Sequence, residues 1–354
     1  MSRAHHAARP HKVYHAGKRH MELIASVSRS SGLEKDGDAL RNYKVQEEYR
    51  TFIEDKLQDY WKQFGSIGTG DGNTIANVRQ REDVEGNILI LFRKLREGLL
   101  STKRNDLFAL EAYETSLYLS IIFHSPAQTT SVITHLLPRL YLSFPEVPAT
   151  ARTASLLSLL HFLDSGYPSQ SRFYDHKATL PSTFLPKSSE QSQWIAALAR
   201  SLRTRNYTRL HTLTENTTLL GLLPASKDGV TVSSSNLQRS HNNSRTIHRD
   251  LARDALFSLI NSIRTKAKNT TWLVLRSAYR ELHCDVMMDN ASGVPATRTW
   301  LCRSLCLPLV NLHSPDDAAS TSRVNEWLQE KQVAGEVRPK EGVENRWIVC
   351  KVKP

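Results

Sequence analysis

The sequence predicts an all-α fold, a right-handed helical-repeat solenoid (TPR-like) followed by a C-terminal winged-helix module with a small β-hairpin. Two observations lead there. Apolar stripes at helical spacing follow one another with short breaks from Val84 onward. The end of the chain then changes period, from a helical stripe to strand alternation. In that last segment Ser314 suits an N-cap and Pro315 the first helical position, while Asp316 and Asp317 suit the positive helix start. Val324, Trp327 and Leu328 form one apolar stripe, and the helix is expected to stop near Gly335. Glu336 to Arg338 and Arg346 to Val352 read as two strands, with Ile348, Cys350 and Val352 on one face. Pro339 to Gly342 supplies turn chemistry between them.

Taken in order, residues 1–30 read as a disordered basic tail. Residues 1–20 carry five histidines and lack an apolar period. A mitochondrial presequence also fits the lack of acid, but not the near-absence of a leucine-type apolar face. Residues 31–225 read as the solenoid. Tyr43 to Phe64 is amphipathic, with Phe52, Ile53, Leu57, Tyr60 and Trp61 in helical register. Residues 65–83 read as a flexible loop, because four glycines fall between Gly65 and Gly72 without a Gly-Lys-Ser/Thr sequence. Helices are expected at Ile88–Leu100, Asp106–Phe123, Gln128–Leu142 and Ala149–Leu163. Another is capped by Ser188 or Ser189 and runs to Arg205, and a short one begins at Tyr207. Helices of about 15 residues with short turns pack as antiparallel neighbours. Residues 226–246, rich in serine and asparagine, read as a disordered insertion. Residues 247–354 hold the distal helices, Arg249–Lys268 and Trp272–Leu282, and then the closing module.

A chain of 354 residues with 40% hydrophobic and 23% charged residues is long enough to bury a large core, and two packed units are expected. No apolar run approaches the ~20 residues that cross a bilayer, and no signal-peptide core stands near the start, so an intracellular protein is expected, nuclear and/or cytoplasmic. All four cysteines lie between Cys284 and Cys350 and read as free thiols in a reducing compartment. Cys302 and Cys306, with His283, Cys284 or His313, have zinc-compatible spacing, against which stands the commoner role of buried cysteine as a small apolar side chain. Catalysis is not expected. HExxH, GxSxG and Walker sequences are absent. The neighbours His283, Cys284 and Asp285 would diverge on a helix, and Glu111 and Glu114 sit beside a core stripe rather than on it. No cofactor, metal or small-molecule substrate is therefore expected.

Charge is the strongest functional signal. The net charge is +12, of which residues 195–283 contribute +9, from fourteen Lys/Arg against five Asp/Glu. An anionic partner docking just before the closing module would place positive charge there. The candidate nucleic-acid-binding residues are Arg264, Lys266, Lys268, Arg276 and Arg280 on the distal helices, with Arg338, Lys340, Arg346, Lys351 and Lys353 on the hairpin. A secondary cluster, Arg200, Arg203, Arg205 and Arg209, surrounds the Asn206-Tyr207 turn. It reads equally as a groove extension or as a solvated face.

The order of blocks resembles the PCI superfamily, the scaffold subunits of the proteasome lid, the signalosome and an initiation factor, and its GANP-type branch in messenger-RNA export. The resembling stretch is about 107–352. It is carried by LEAYETSLYLSIIFHSP (Leu110–Pro126), VITHLLPRLY (Val132–Tyr141), ASLLSLLHFLDSG (Ala154–Gly166), WIAALARSLRTRNYTRLHTL (Trp194–Leu213) and SIRTKAKNTTWLVLRSAYRELH (Ser262–His283). The fourth block looks most like the GANP branch. The insertion at 225–246, His161-Phe162 and Ser125-Pro126 depart from the pattern. The resemblance implies a non-enzymatic scaffold that binds other protein subunits, with RNA or DNA contact through its C-terminal module. A lid-, signalosome- or initiation-type subunit binding only protein is the alternative.

Overall fold

The computed structural model describes residues 18–24, 26, 39–64, 75–223, 250–284, 297–307 and 317–351. The structure is mostly helical, with thirteen α-helices and one three-stranded antiparallel sheet among the described residues. It divides into two compact units, 1–123 and 124–354. The division falls inside both the 31–225 stretch read as one solenoid and the 107–352 stretch of the family resemblance.

The first unit holds α1 (Lys18–Leu23), α2 (Tyr43–Phe64), α3 (Ile75–Ser101) and α4 (Leu107–Ile122). Tyr49, Phe52, Ile53, Leu57 and Tyr60 of α2 are buried, as are Ile88, Leu89, Phe92, Leu95 and Leu99 of α3. The helix over 75–83 corrects part of the loop expected at 65–83; residues 65–74 lie outside the described residues. Its first turns lack an apolar stripe but gain side-chain support, since Arg81 pairs with Glu85 at 2.7 Å and Tyr60 donates to the same carboxylate. Arg104, 6% exposed at its side chain, ties the α3–α4 corner. It bonds Asp106 at 2.7 Å, Glu47 at 2.8 Å and Gln46 at 3.1 Å, and lies over the rings of Tyr43 and Phe108. Asp106 in turn caps α4 through the Ala109 amide.

Gly98 lets α3 approach the backbone at Leu40: a Cβ there would lie 2.7 Å from the Leu40 carbonyl oxygen. Gly98→Ala is therefore expected to lower stability by about 1–3 kcal/mol. Equilibrium urea unfolding measures it. A neutral result would mean that this contact is loose.

The second unit begins with α5 (Pro126–His135), α6 (Thr150–Gly166), α7 (Ser171–Thr179), α8 (Glu190–Arg203), α9 (Tyr207–Leu213) and α10 (Asn216–Leu222). The helix expected to reach Leu142 stops at His135 because Pro138 forces Leu137 out of the helical region, to φ −114°, ψ 128°. α6 is buried almost all round, with Leu156, Leu157, Leu159, Leu160 and Leu163 inside. α8 starts at the predicted Ser189 cap, and Asn206 caps α9 through the Arg209 amide.

After the undescribed 224–249 comes α11 (Leu251–Ala278), then β1 (Glu281–His283), α12 (Thr297–Ser304), α13 (Asp317–Val333), β2 (Val337–Pro339) and β3 (Arg346–Val349). The two helices read at 249–268 and 272–282 are one, corrected at its far end by a strand. The Asn-Thr-Thr stretch stays helical because Ala267, Thr271, Trp272 and Leu275 keep one buried face through it, and Thr270 and Thr271 satisfy their hydroxyls on the Lys266 and Ala267 carbonyls. At Tyr279 the backbone becomes extended, and Leu282 joins the sheet. Strand order is β1-β3-β2, with Glu281, Ile348 and Arg338 in one row and Leu282, Trp347 and Pro339 in the next.

Val337, Val349 and Leu282 are buried, so the core-facing side holds Val349, not the Ile348–Cys350 set read from the sequence. They close a core with Trp272, Leu301, Leu305, Val324, Trp327 and Leu328. Gly335 takes φ +69° and ends α13 in reach of the Gln332 carbonyl. α11 packs on α6 and α12 on α9, so the closing module shares its first helix with the helical array. Of the tail expected over 1–30, residues 1–17, 25 and 27–30 lie outside the described residues, as do the whole of the 226–246 insertion, Ser314 to Asp316, Val352 and Lys353, while 18–23 form α1.

Candidate nucleic-acid interface

Ten basic residues near the closing module were expected to face an anionic partner; nine of them are among the described residues and fall into two groups. The first is half-buried and engaged in contacts within the fold. Arg264 donates to three backbone carbonyls: Thr214 at 3.1 Å, Cys306 at 2.8 Å and Leu307 at 3.0 Å. It pins the α9–α10 turn and the end of α12 onto α11. Burial holds its pKa below the usual arginine value. Cys306 takes φ +50° there, and burial pushes its thiol up to about 12, which leaves it an unreactive core group.

Lys266 bonds the Asp164 carbonyl at 2.8 Å and its carboxylate at 2.9 Å, joining α11 to the end of α6. Arg276 donates twice to the Cys350 carbonyl, at 3.1 and 2.9 Å, and to Glu336 at 2.8 Å. Glu336 also accepts from the Trp272 indole at 2.8 Å and pairs with Lys331 at 3.1 Å. Burial works against ionisation of Glu336, but these donors and charges outweigh it and hold its pKa below the usual carboxylate value. Lys340 bonds Glu281 across the sheet at 2.9 Å, and this hydrogen bond lowers the Glu281 pKa. Arg264, Lys266, Arg276 and Lys340, expected as docking residues, thus also serve as joints of the fold, with Lys266 and Lys340 still 39% and 34% exposed at their side chains.

The second group is freer. Arg280, Arg338 and Lys351 are exposed, and Lys268 and Arg346 are half-buried. Arg338 and Arg346 share the outer sheet face with Ile348, His283 and the paired Glu281 and Lys340. The flanking elements carry the opposite sign. The α13 sequence holds Asp317, Glu326 and Glu330 against Arg323 and Lys331, and the hairpin tip exposes Glu341 and Glu344.

Arg200, Arg203, Arg205 and Arg209 are all exposed at the α8–α9 corner. His283 is exposed and Cys284 buried on successive residues of an extended segment, so they point apart. Glu111 is bound by Arg50 at 2.7 Å. Among the described residues no group of three His, Cys, Asp or Glu stands ready for a metal ion, and no helix is long and apolar enough to cross a membrane. His313 lies outside them.

Two polar centres had no sequence signal. Arg298, 6% exposed, donates to the Cys284 carbonyl at 2.7 Å and to the side chains of Asn325 and Asn345 at 3.1 and 2.9 Å. It ties β1, α13 and the hairpin together without a carboxylate. His161 and His176 are hydrogen-bonded to the hydroxyls of Thr130 and Ser158, each at 2.9 Å, with Phe162 between the two rings. No protein-family model, curated protein or solved structure matches this chain.

Proposed function

We propose that this chain is a non-enzymatic scaffold subunit of a PCI-type assembly of the GANP-like branch, acting in nuclear messenger-RNA processing or export. The observation that carries the reading is the closing topology. Helix, strand, helix, helix, strand and strand follow in that order, and the last strand lies between the other two. This order supports a winged helix, and the sharing of α11 between it and the array of α5 to α10 supports a helical solenoid capped by that module. Partner subunits dock on the array, while RNA or DNA meets the basic residues left free, Arg280, Arg338, Arg346 and Lys351, through its phosphates.

The acidic balance of α13 and the two glutamates at the hairpin tip favour a second reading, a lid-, signalosome- or initiation-type subunit that binds only protein. Affinity purification from cells separates the assemblies by the subunits that accompany the chain. A gel shift with single-stranded RNA at two salt concentrations separates the modes. Salt-sensitive binding that weakens severalfold in an Arg280→Gln, Arg338→Gln, Lys351→Gln variant is expected; no shift by the wild-type chain leaves the protein-only reading.

A further inference from the structure

We propose that the α7–α8–α9 corner is a separate binding site for single-stranded RNA, built from Arg200, Arg203, Arg205 and Arg209 with Tyr174 as a stacking surface. It goes beyond the reading above, because none of these residues belongs to the closing module.

Between Ile195 and Thr214 the sequence holds four arginines and no acid. All four are exposed, and among the described residues none is paired with a carboxylate, whereas Arg50, Arg81, Arg104 and Arg276 all are. Four like charges left unpaired within ten residues repel one another and create a positive potential that an anion relieves. The one acid on α7, Asp175, is exposed and is the only negative group on that helix.

The corner is also held in place. The Thr204 amide bonds the Arg200 carbonyl at 2.9 Å, the Asn206 amide bonds Ser201 at 2.9 Å, and Arg205 between them takes φ +54°. Asn206 then caps the Arg209 amide at 3.0 Å. Arg200 and Arg203, three apart near the end of α8, lie on one side of it. Gln170 donates to the Ala199 carbonyl at 2.7 Å, which brings the start of α7 against this end of α8.

Tyr174 chooses between classes of anion. The residue is 43% exposed, its ring meets Phe173 edge-on at 5.0 Å, and its hydroxyl accepts from Arg203 at 3.4 Å. An acidic polypeptide has no use for an exposed ring beside the Arg203 guanidinium. Single-stranded RNA does, since its bases stack on aromatic faces while arginines hold the phosphates.

The test is fluorescence anisotropy of a labelled oligouridylate titrated with the full chain across a salt series, with circular dichroism confirming that each variant is folded. For the Arg200→Gln, Arg203→Gln, Arg209→Gln variant, the slope of log affinity against log salt should shrink by about 2, at ~0.7 per lost phosphate contact. Tyr174→Ala should weaken binding roughly tenfold with little change in slope, and Tyr174→Phe should bind nearly as wild type. Arg280→Gln, Arg338→Gln, Lys351→Gln is measured alongside. Loss confined to that variant overturns the corner site and leaves the closing-module reading intact, and loss confined to the corner variants does the reverse. An unchanged slope in the corner variant, wild-type affinity in Tyr174→Ala, or equal competition by polyglutamate also overturns the proposal.

Discussion

Arg276→Ala is expected to destabilise the 124–354 unit by about 3 kcal/mol, the cost of breaking a largely buried, hydrogen-bonded pair. The guanidinium side chain is 11% exposed and spends its donors on the Cys350 carbonyl and Glu336. Its removal leaves that carbonyl short of its donors and Glu336 with only Trp272 and Lys331 as partners. For a unit of this size the melting temperature should fall by roughly 6–12 °C. Differential scanning calorimetry measures the shift. A residue that served only to hold phosphate would give the opposite pattern, an unchanged melting temperature with weakened RNA binding, and that result would sink the joint assigned to Arg276. Arg280→Ala, four residues on and exposed, is the internal control and should leave the transition where it is.

Acid is expected to destabilise the second unit before carboxylates in general are protonated. His161 and His211 are 4% and 2% exposed, and both have pKa values lowered to about 4. Burial is the main cause for each. Lys266 adds to it at His161, where Asp164 pulls the other way, and Arg264 and Arg303 add to it at His211. An unfolded histidine titrates near 6.5. Between these values the unfolded chain binds more protons than the folded one, so the stabilising contribution is complete above about pH 6.5 and drains away as pH falls toward 4. From pH 7 to pH 5 each histidine should cost about 2 kcal/mol. His176, with a pKa lowered to about 4 by burial and by its neighbour His161, adds to the same slope, though it is less buried. Urea unfolding at the two pH values measures the difference. His161→Gln and His211→Gln should flatten the dependence, and a stability independent of pH over this window in the wild-type chain would show that these rings are already protonated.

Much of the local architecture was legible. The stripe Val324, Trp327, Leu328 is buried as its spacing required, α13 stops just before Gly335, and Ser189, one of the two serines expected to cap α8, does so. Each signal is contained within a few residues, so a window of sequence holds all the physics involved. The short strand Glu281–His283 left no such trace. Three residues are too few to establish alternation, and β1 exists because β3 offers it an edge. The helix over 75–83 was missed for a related reason, since its support comes from ion pairing and from Tyr60 rather than from an apolar stripe.

The candidate site shows where sequence reading ends. Residue type declared that Arg264, Lys266, Arg276 and Lys340 are cations, and composition showed that positive charge gathers in the second half of the chain. Whether those charges meet solvent was decided by carbonyls and carboxylates far away in sequence: Cys306 for Arg264, Asp164 for Lys266, Cys350 and Glu336 for Arg276, Glu281 for Lys340. By itself the sequence determined a helical chain, the Ser189 cap, the stop before Gly335, and an arginine-rich corner at 200–209. Only tertiary structure decided which basic side chains are joints and which remain open to a partner, because a guanidinium is satisfied by whatever acceptors folding brings to it.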